Sequence, residues 1–558
     1  MAEERLKRIN INRQIKRTAA QVNLHAHPDP AQRVVVFFNA STRLVGMSLN
    51  AAYALLTSWA LRLQGIPVVQ FTCWAGMSHC VLGTTRDNVT QHPPCRACIS
   101  QSKWLYESAQ VSPFTYLPDR HLSAKLKSFT TQQLQEFEYQ PDWLADRQST
   151  HPALSIPLGK LVLPSIRWVL RRHNLQDDEA TRYLLGEYIL SANRVAQEFS
   201  ALLDKADPMA VVVFNGQFFP EAAARWIAQQ RGIRTITHEV GLQPFSAFFT
   251  TGEATAYPLT VPDDFELNEA QNARLDAYLS KRFQGKFSMA GIQFWSDMQD
   301  LDGSLLQRVE TFKQIVPVFT NVIFDTSQPH SNVIFPDMFA WLDLVLDLAS
   351  RHPETMFIIR AHPDEDRPGK ESRESVRQWA EHRQVSGIPN VLFIPASQML
   401  SSYELIRRSK FVMIYNSTIG LEASLLGAPV LCAGQSRFTQ LPTVFFPTTL
   451  QEYHHMAEEL LSAASIAVPP EFQHNARRFL YYQLYRSSLP FGDFLQEDGI
   501  WPGFVRLRKF DLQNLTPAIS PAIKTILKGI LENGNFLMDA DYRTFSWVDE
   551  IPGSSINK

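Results

Sequence analysis

Phe411-Val412-Met413-Ile414-Tyr415-Asn416-Ser417-Thr418-Ile419-Gly420-Leu421-Glu422 is the most informative stretch of this 558-residue chain. An apolar run of strand length passes into a tight polar turn and then a helical pattern, so it reads as strand, turn, helix. Such a turn leaves the first N–H groups of the helix unpaired and sets the Ser417 and Thr418 hydroxyls beside them. It also aims the positive end of the helix dipole at whatever binds. That is the chemistry of an anion site, phosphate above all. Glu422 falls in the first helical turn, where a carboxylate can accept from a ribose hydroxyl, which suggests a nucleotide. The same residues also make an ordinary Ser/Thr N-cap with a first-turn Glu, which stabilises a helix and binds nothing.

A second segment bears on that choice. Met356 to Arg360 is another apolar strand, and it ends in Ala361-His362-Pro363-Asp364-Glu365. Pro363 cannot continue a ladder, so His362 is presented at the carboxyl end of the strand. In an open parallel sheet ligands bind along that edge. Two polar turns at two such ends converge on one ligand, whereas a lone His there is more commonly a packed or capping residue.

Around these segments strands and helices alternate. Val318 to Phe324, Met356 to Arg360, Val391 to Ile394, Phe411 to Tyr415 and Pro429 to Cys432 read as strands. Met338 to Ser350, Ser372 to Arg383, Ser402 to Ser409 and Gly420 to Leu426 read as the helices between them. This spacing predicts a parallel, doubly wound sheet. The charge-dense run Asp364 to Glu374 reads as a solvated loop.

The first half carries a similar pattern. Arg33 to Phe38 is a strand that runs into Asn39-Ala40-Ser41-Thr42-Arg43-Leu44-Val45-Gly46, followed by a helix from about Leu49 to Leu63 and a strand from Val68 to Thr72. Ser123 to Arg147 looks helical, and Leu161 to Leu203 suggests two amphipathic helices broken near Asn174 to Asp178. Ala210 to Phe214 is a strand, Asn215-Gly216 a turn, Pro220 to Gln230 a helix, and Arg234 to Thr237 the next strand. That strand ends in His238-Glu239, titratable groups suited to acid/base work at a sheet edge; a cap or ion-pair role for Glu239 is the plainer alternative. The expected layout is a flexible segment 1–30, an acceptor-side unit 31–257 with a Cys-rich insertion near 73–98, a linker 258–314, a nucleotide-sugar-binding unit 315–470, and a helical return segment with tail 471–558. Within the last, Ala476 to Arg486 is aromatic, basic and helical. It packs in a core, returns across to the first unit, or docks on a membrane surface.

Composition bounds the function classes. Hydrophobic content of 45%, charged content of 19% and 36 Phe exclude wholesale disorder. A net charge of −2 gives no general attraction to nucleic acid or anionic lipid. Residues 1–33 lack an apolar leader core and no later stretch is long enough to span a bilayer, so the expectation is a cytoplasmic protein, at most peripheral at the inner face of the membrane. Four of the five Cys cluster as Cys73, Cys80, Cys95 and Cys98, with His79 and His92 among them. The Cys95-Arg96-Ala97-Cys98 turn suits tetrahedral zinc, although Cys73 and Cys80 are spaced unlike a usual knuckle. Reduced buried thiols are the plainer reading, and an iron–sulfur cluster the third.

The set formed by Arg360-Ala-His-Pro363, Asn416-Ser-Thr-Ile-Gly-Leu-Glu422 and Leu426-Gly-Ala-Pro-Val430 resembles the bacterial capsule polysaccharide biosynthesis proteins, which include Kdo transferases. Asn215-Gly216 with Pro220-Glu221, and the Cys80 to Cys98 segment, are similar to the N-terminal part of some members. The resemblance implies an α/β, GT-B-like fold, two Rossmann-like domains facing a cleft. It implies transfer of a sugar from a CMP- or UDP-type donor to a surface polysaccharide or lipid-linked acceptor, without a divalent ion for the chemistry. In its terms His362, Ser417 and Thr418 contact donor phosphate and Glu422 the ribose, and Asn416 and Gly420 complete the set of residues expected to bind the nucleotide-sugar. Glu239 or His238 is the expected base for the acceptor hydroxyl. An Asn-Ser-Thr turn where a double Ser is common, and the clustered cysteines, depart from the family pattern and leave the donor open. Two other classes stay in view: a GT-B-fold nucleotide-sugar epimerase, and a noncatalytic scaffold that keeps a degenerate nucleotide site.

Overall fold

The computed structural model describes residues 2–40, 46–145, 155–284, 287–289, 292–294, 303–369, 371–398, 400–501 and 503–541. In the C-terminal half, five short apolar runs form an all-parallel sheet. Its order is Val391–Ile394, Thr355–Arg360, Gln314–Phe319, Val412–Ile414 and Val430–Cys432. Helices cover both faces, which is why the strands read as continuous apolar runs. Alternate residues of one strand serve two cores: Met356 and Ile358 pack with Tyr403 and Phe479, while Phe357 and Ile359 pack with Trp341 and Tyr453. In chain order the strands run 3-2-1-4-5. The order reverses between Gln314–Phe319 and Val412–Ile414, where the crossovers diverge and a crevice opens at the carboxyl ends.

The N-terminal half repeats the scheme. Gln110–Phe114, Val68–Cys73, Val35–Asn39, Ala210–Phe214 and Arg234–Val240 are parallel, again 3-2-1-4-5, and two antiparallel strands, Ser246–Thr250 and Leu489–Pro490, extend the edge. Two Rossmann-like sheets on either side of a cleft make a GT-B-like architecture. The two halves touch directly. Glu374 accepts from the backbone N–H groups of His173 (2.7 Å) and Asn174 (2.9 Å), and Arg373 N–H donates to the Arg171 carbonyl at 2.9 Å.

Several expectations need correction. The segment expected to be flexible forms helix Ala2–His25, whose Ile11, Ile15, Ala19 and Val22 make one buried stripe on an otherwise polar helix. The first strand of the second sheet is Gln314–Phe319, not Val318 to Phe324. Ile315 and Phe319 accept from Lys410 and Tyr415 on one flank, and alternation turns Pro317 to that flank too. Paired register there begins only at Val318, so the missing N–H falls at the foot of the ladder. Ser372 to Arg383 is helical only over Val376–His382. Ser375 caps it in a capping box with Gln378, and the residues before it cross to the first half. Ser123 to Arg147 holds three short helices, Arg120–Leu126, Thr131–Gln135 and Asp142–Ala145; residues 146–147 and the loop 41–45 lie outside the described residues.

The aromatic helix, Pro470–Tyr485, is a core element. Phe479, Tyr481 and Tyr485 are fully buried in the second half, which leaves no aromatic face for a membrane. Beyond it the chain crosses over, pairs Leu489 and Pro490 with Ala247 and Ser246, sets helix Pro521–Leu531 against helix Leu49–Leu63, and reaches the end of its described course at Asp541, which accepts from Arg486 Nε at 2.7 Å.

Candidate functional site

The crevice at the second sheet's reversal point is a pocket of about 440 Å³, a size that suits a small organic ligand. Its floor is three strand ends: Phe319 with Thr320 and Asn321, Arg360 to Pro363, and Asn416 to Thr418. The opposite wall includes Thr255, Ala256 and Pro258, which follow the first sheet. The two motifs read in the sequence are therefore neighbours, laced together by side chains. Thr320 Oγ1 donates to the Arg360 carbonyl (3.1 Å) and accepts from His362 N–H (3.0 Å), and Asn321 Oδ1 accepts from Asn416 N–H at 3.2 Å.

The Asn416-Ser417-Thr418 turn is not a simple helix cap. Thr418 is the N-cap of Ile419–Leu425, but its side chain makes no capping hydrogen bond. Asn416 is buried, donates through Nδ2 to Ser331 Oγ, and keeps Oδ1 without a protein partner at the pocket wall. Helix Ile419–Leu425 is only 7 residues long, so its dipole is a minor contribution and the site rests on side chains and turn amides instead. Gly420 lets the turn pack closely, because a Cβ there would lie 2.2 Å from Ile414 Cδ1.

His362 caps the following 3-10 turn, with Nδ1 accepting from Asp364 N–H at 3.2 Å. That bond fixes the tautomer, so the proton sits on Nε2. Desolvation lowers the imidazole pKa, Asp364 and Asp325 pull it back, and Arg360 lowers it further. His362 is thus a neutral N–H donor, not an imidazolium.

The positive charge comes from a residue the sequence reading did not assign. Arg360 is 4% exposed and lines the pocket. Its Nη1 donates to Ser402 Oγ at 2.7 Å, and among the described residues no carboxylate pairs with it. Burial lowers its pKa to about 10. A buried, unneutralised guanidinium facing a cavity is a strong attractor for an anion. The signal was in the sequence, as a cation two residues before His362 on a strand otherwise apolar. Arg437 adds a second guanidinium, 4.2 Å above the Tyr257 ring.

Glu422 is at the pocket but already engaged. One oxygen accepts from Arg282 Nε (2.9 Å) and Nη2 (2.5 Å), the other from Tyr403 OH (2.6 Å). A ribose hydroxyl reaches it only on the lone pairs these leave. Between the halves, His330 Nε2 lies 3.0 Å from Glu253 and 3.0 Å from Thr255 Oγ1, and Glu253 also pairs with Arg225 at 2.5 Å.

His238 and Glu239 are adjacent on Arg234–Val240 and so face opposite ways. His238 is 1% exposed, its ring between Phe214 and Phe249, and burial drives its pKa down to about 3. Packed there, it is a core residue. Glu239 accepts from Asn50 Nδ2 (3.1 Å), Asn215 Nδ2 (3.2 Å) and Val240 N–H (2.9 Å), and burial still raises its pKa. It does not line the pocket. It stands on the first sheet within electrostatic reach of Asp325, which does.

Cys73, Cys80, Cys95 and Cys98 line one small pocket of their own. Desolvation raises the Cys73 thiol to about 12. Among the described residues no three His, Cys, Asp or Glu side chains make a group able to hold one ion. His79 is buried beside Tyr183, 3.5 Å from Glu187, and is not among the residues that line that pocket.

Residues 299–456 match the family described as capsule polysaccharide biosynthesis protein. This segment contains the Arg360–Pro363 and Asn416–Glu422 motifs and all five strands of the second sheet. The chain is 28% identical over 237 residues to protein FixF of Sinorhizobium fredii, a match covering 41% of this chain and about half (49%) of that relative. Among solved structures it is similar to the Thermosulfurimonas dismutans KpsC beta Kdo 2,4 transferase (11% identity, TM-score 0.34, 50% of this chain and 80% of that one). It is also similar to the Neisseria meningitidis UDP-GlcNAc 2-epimerase bound to UDP-GlcNAc (12% identity, TM-score 0.22, 80% and 96%). Among the described residues no helix is long and apolar enough to cross a membrane.

Proposed function

We propose that the protein is a glycosyltransferase of surface polysaccharide synthesis. It takes a sugar from a CMP- or UDP-type donor and passes it to a glycan or lipid-linked acceptor. The observation that carries this reading is the unneutralised Arg360 beside His362, Ser417 and Thr418, in a pocket at the reversal point of a doubly wound sheet. The family match over 299–456 agrees with it. In this reading the donor phosphate lies over the Asn416–Thr418 turn, with Arg360 supplying charge and His362 Nε2–H, Ser417 and Thr418 supplying hydrogen bonds.

The acceptor hydroxyl oxygen attacks the anomeric carbon as the bond from that carbon to the donor phosphate oxygen breaks. The bonding pair leaves with the phosphate, and the acceptor proton passes to Glu239. Charge on the leaving phosphate grows along this path, so donors already aimed at it stabilise the transition state more than the bound donor. Glu239 suits the proton because its raised pKa brings it toward neutrality while two Asn amides hold it in place. His238 has no part in this scheme.

The test is a calorimetric titration with CMP, UDP, GDP and ADP of the intact protein and of Ser417→Ala and His362→Ala. One nucleotide binding selectively, and weakened in both variants, supports the donor site and fixes the donor class. A folded protein that binds none of them overturns it and favours a scaffold.

A further inference from the structure

Helix Ala2–His25 is polar outside its buried stripe, save for a few apolar residues that the fold leaves in the open. Ile11, Ile15, Ala19 and Val22 seat it on the first half. At about 3.6 residues per turn, Leu6, Arg13, Arg17 and Leu24 share one line on the opposite side. Leu6 is 62% exposed and Leu24 72%, and Ile9, less than a turn from Leu6, is exposed too. Packing on the first half accounts for the inner stripe and gives the outer line nothing to do.

Charge is the second feature of that face. From Leu6 to His25 the helix holds Lys7, Arg8, Arg13, Lys16 and Arg17 and no Asp or Glu, in a chain whose net charge is −2. Asp498 and Glu107 reach it from other elements, and they pair with Arg8 at 3.2 Å and Lys16 at 2.7 Å. Arg13 and Arg17 are exposed and, among the described residues, pair with no carboxylate.

Asp498 brings a third element to the same place. Its Oδ1 accepts from Ile500 N–H (2.7 Å) and Trp501 N–H (3.0 Å), while its other oxygen holds Arg8. The turn between strands Leu495–Glu497 and Phe504–Leu507 is thereby fastened to the start of the helix, and Trp501 in that turn is 52% exposed. Leu, Ile and Trp interleaved with Arg and Lys are the composition of a helix that lies in a lipid–water interface. Apolar side chains enter the acyl boundary, the indole stays at headgroup level, and the cations meet anionic headgroups. A nucleic acid or another soluble polyanion would use the cations and leave Leu6, Leu24 and Trp501 idle.

The face also stands on the side of the molecule that holds Glu239. Gln14 Nε2 of the helix donates to the Leu507 carbonyl at 3.0 Å, strand Phe504–Leu507 pairs with Met47–Ser48, and Asn50, two residues further on, donates to Glu239 at 3.1 Å.

We infer that the outer face of helix Ala2–His25, together with Trp501, docks on an anionic phospholipid surface. The helix lies along that surface, about 36 Å of it. The purpose of docking rests on the function proposed above: it sets the Glu239 side of the cleft toward the membrane, where a lipid-linked acceptor is held.

Cosedimentation of the full chain with vesicles tests this. Vesicles of phosphatidylglycerol and phosphatidylethanolamine should carry the protein down, vesicles of phosphatidylcholine alone should not, and added salt should release it. Arg13→Gln/Arg17→Gln should weaken binding roughly 30-fold, for two charges near an anionic surface, and Leu6→Gln/Leu24→Gln should weaken it as well. These side chains are at the surface, so the circular dichroism of both variants should match the wild type. A folded protein that stays in solution with anionic vesicles overturns the inference. So does a Leu6→Gln/Leu24→Gln variant that binds them as the wild type does, because the cations then act alone, as toward any polyanion. A dimer in light scattering that the same variant converts to monomer overturns it too, since a second copy then covers the face. Nucleotide titration run in parallel separates the two readings. Vesicle binding without nucleotide binding removes the donor site and upholds the docking surface, and unchanged nucleotide affinity in variants that have lost vesicle binding supports both.

Discussion

Arg360 donates to Ser402 at 2.7 Å and, among the described residues, to no carboxylate, although it is one of the most buried cations in the chain. A protein that needed this residue only for packing would neutralise it or replace it. Arg360→Met should therefore leave stability unchanged or raise it, because a desolvated charge is removed. Nucleotide affinity should fall about 10- to 100-fold, the equivalent of a hydrogen bond to a charged group worth roughly 1.5–3 kcal/mol. Calorimetry and thermal melts on the same preparation measure both. Parallel losses of stability and affinity would make Arg360 structural.

Glu239→Gln separates chemistry from binding. In the proposed reading the nucleotide binds on the other sheet, so its affinity should not change, while turnover drops about 10²- to 10⁴-fold for loss of a general base. The pH profile is equally specific. The base works ionised, and burial raises its pKa, so the rate of the wild type should fall as pH drops through a value above the ordinary carboxylate range of about 4.3. Near-normal turnover of the variant would remove Glu239 from this role.

Much of this was legible in the sequence because it is written in local patterns. Apolar runs at βα spacing identify both sheets, and Pro363 and the Asn416–Thr418 turn mark strand ends at which side chains are released. What was not legible depends on partners far away in the chain. Glu422 looks free as a sequence, and is occupied because Arg282 arrives from 140 residues earlier. His238 and Glu239 look equivalent until strand alternation buries one between Phe214 and Phe249. The N-terminal helix was missed because four buried apolar residues among many charges give a weak periodic signal.

Arg282 and Glu422 form a buried pair with Tyr403 as a third member, joining helix Glu269–Phe283 to helix Ile419–Leu425. Breaking it from one side strands a charge. Arg282→Met should cost about 3–5 kcal/mol of stability, read from urea denaturation. Arg282→Met combined with Glu422→Gln should recover part of that loss, since the uncompensated carboxylate is then gone. A double variant no more stable than the single one would show that packing, not charge, dominates this contact.

Glu365, just after the His362-Pro363 turn, makes stability depend on pH in the less familiar direction. Its carboxyl is 2% exposed and accepts from Val376 N–H at 3.0 Å. Burial, the largest influence, lifts its pKa from 4.5 to about 8, against the pull of that N–H. Below pH 4 the group is neutral whether the chain is folded or not, and its contribution is fully present. As pH rises from about 4.5 to 8 the unfolded chain releases a proton that the folded chain retains, so folding is progressively disfavoured by up to a few kcal/mol. Above pH 8 the loss is complete and the dependence levels off. Glu365→Gln keeps a neutral acceptor for Val376 and has no proton to lose. Urea titrations across pH 5 to 9 should show the wild type weakening relative to this variant, with the gap largest at the alkaline end. Parallel curves for the two proteins would mean that Glu365 ionises in place without cost.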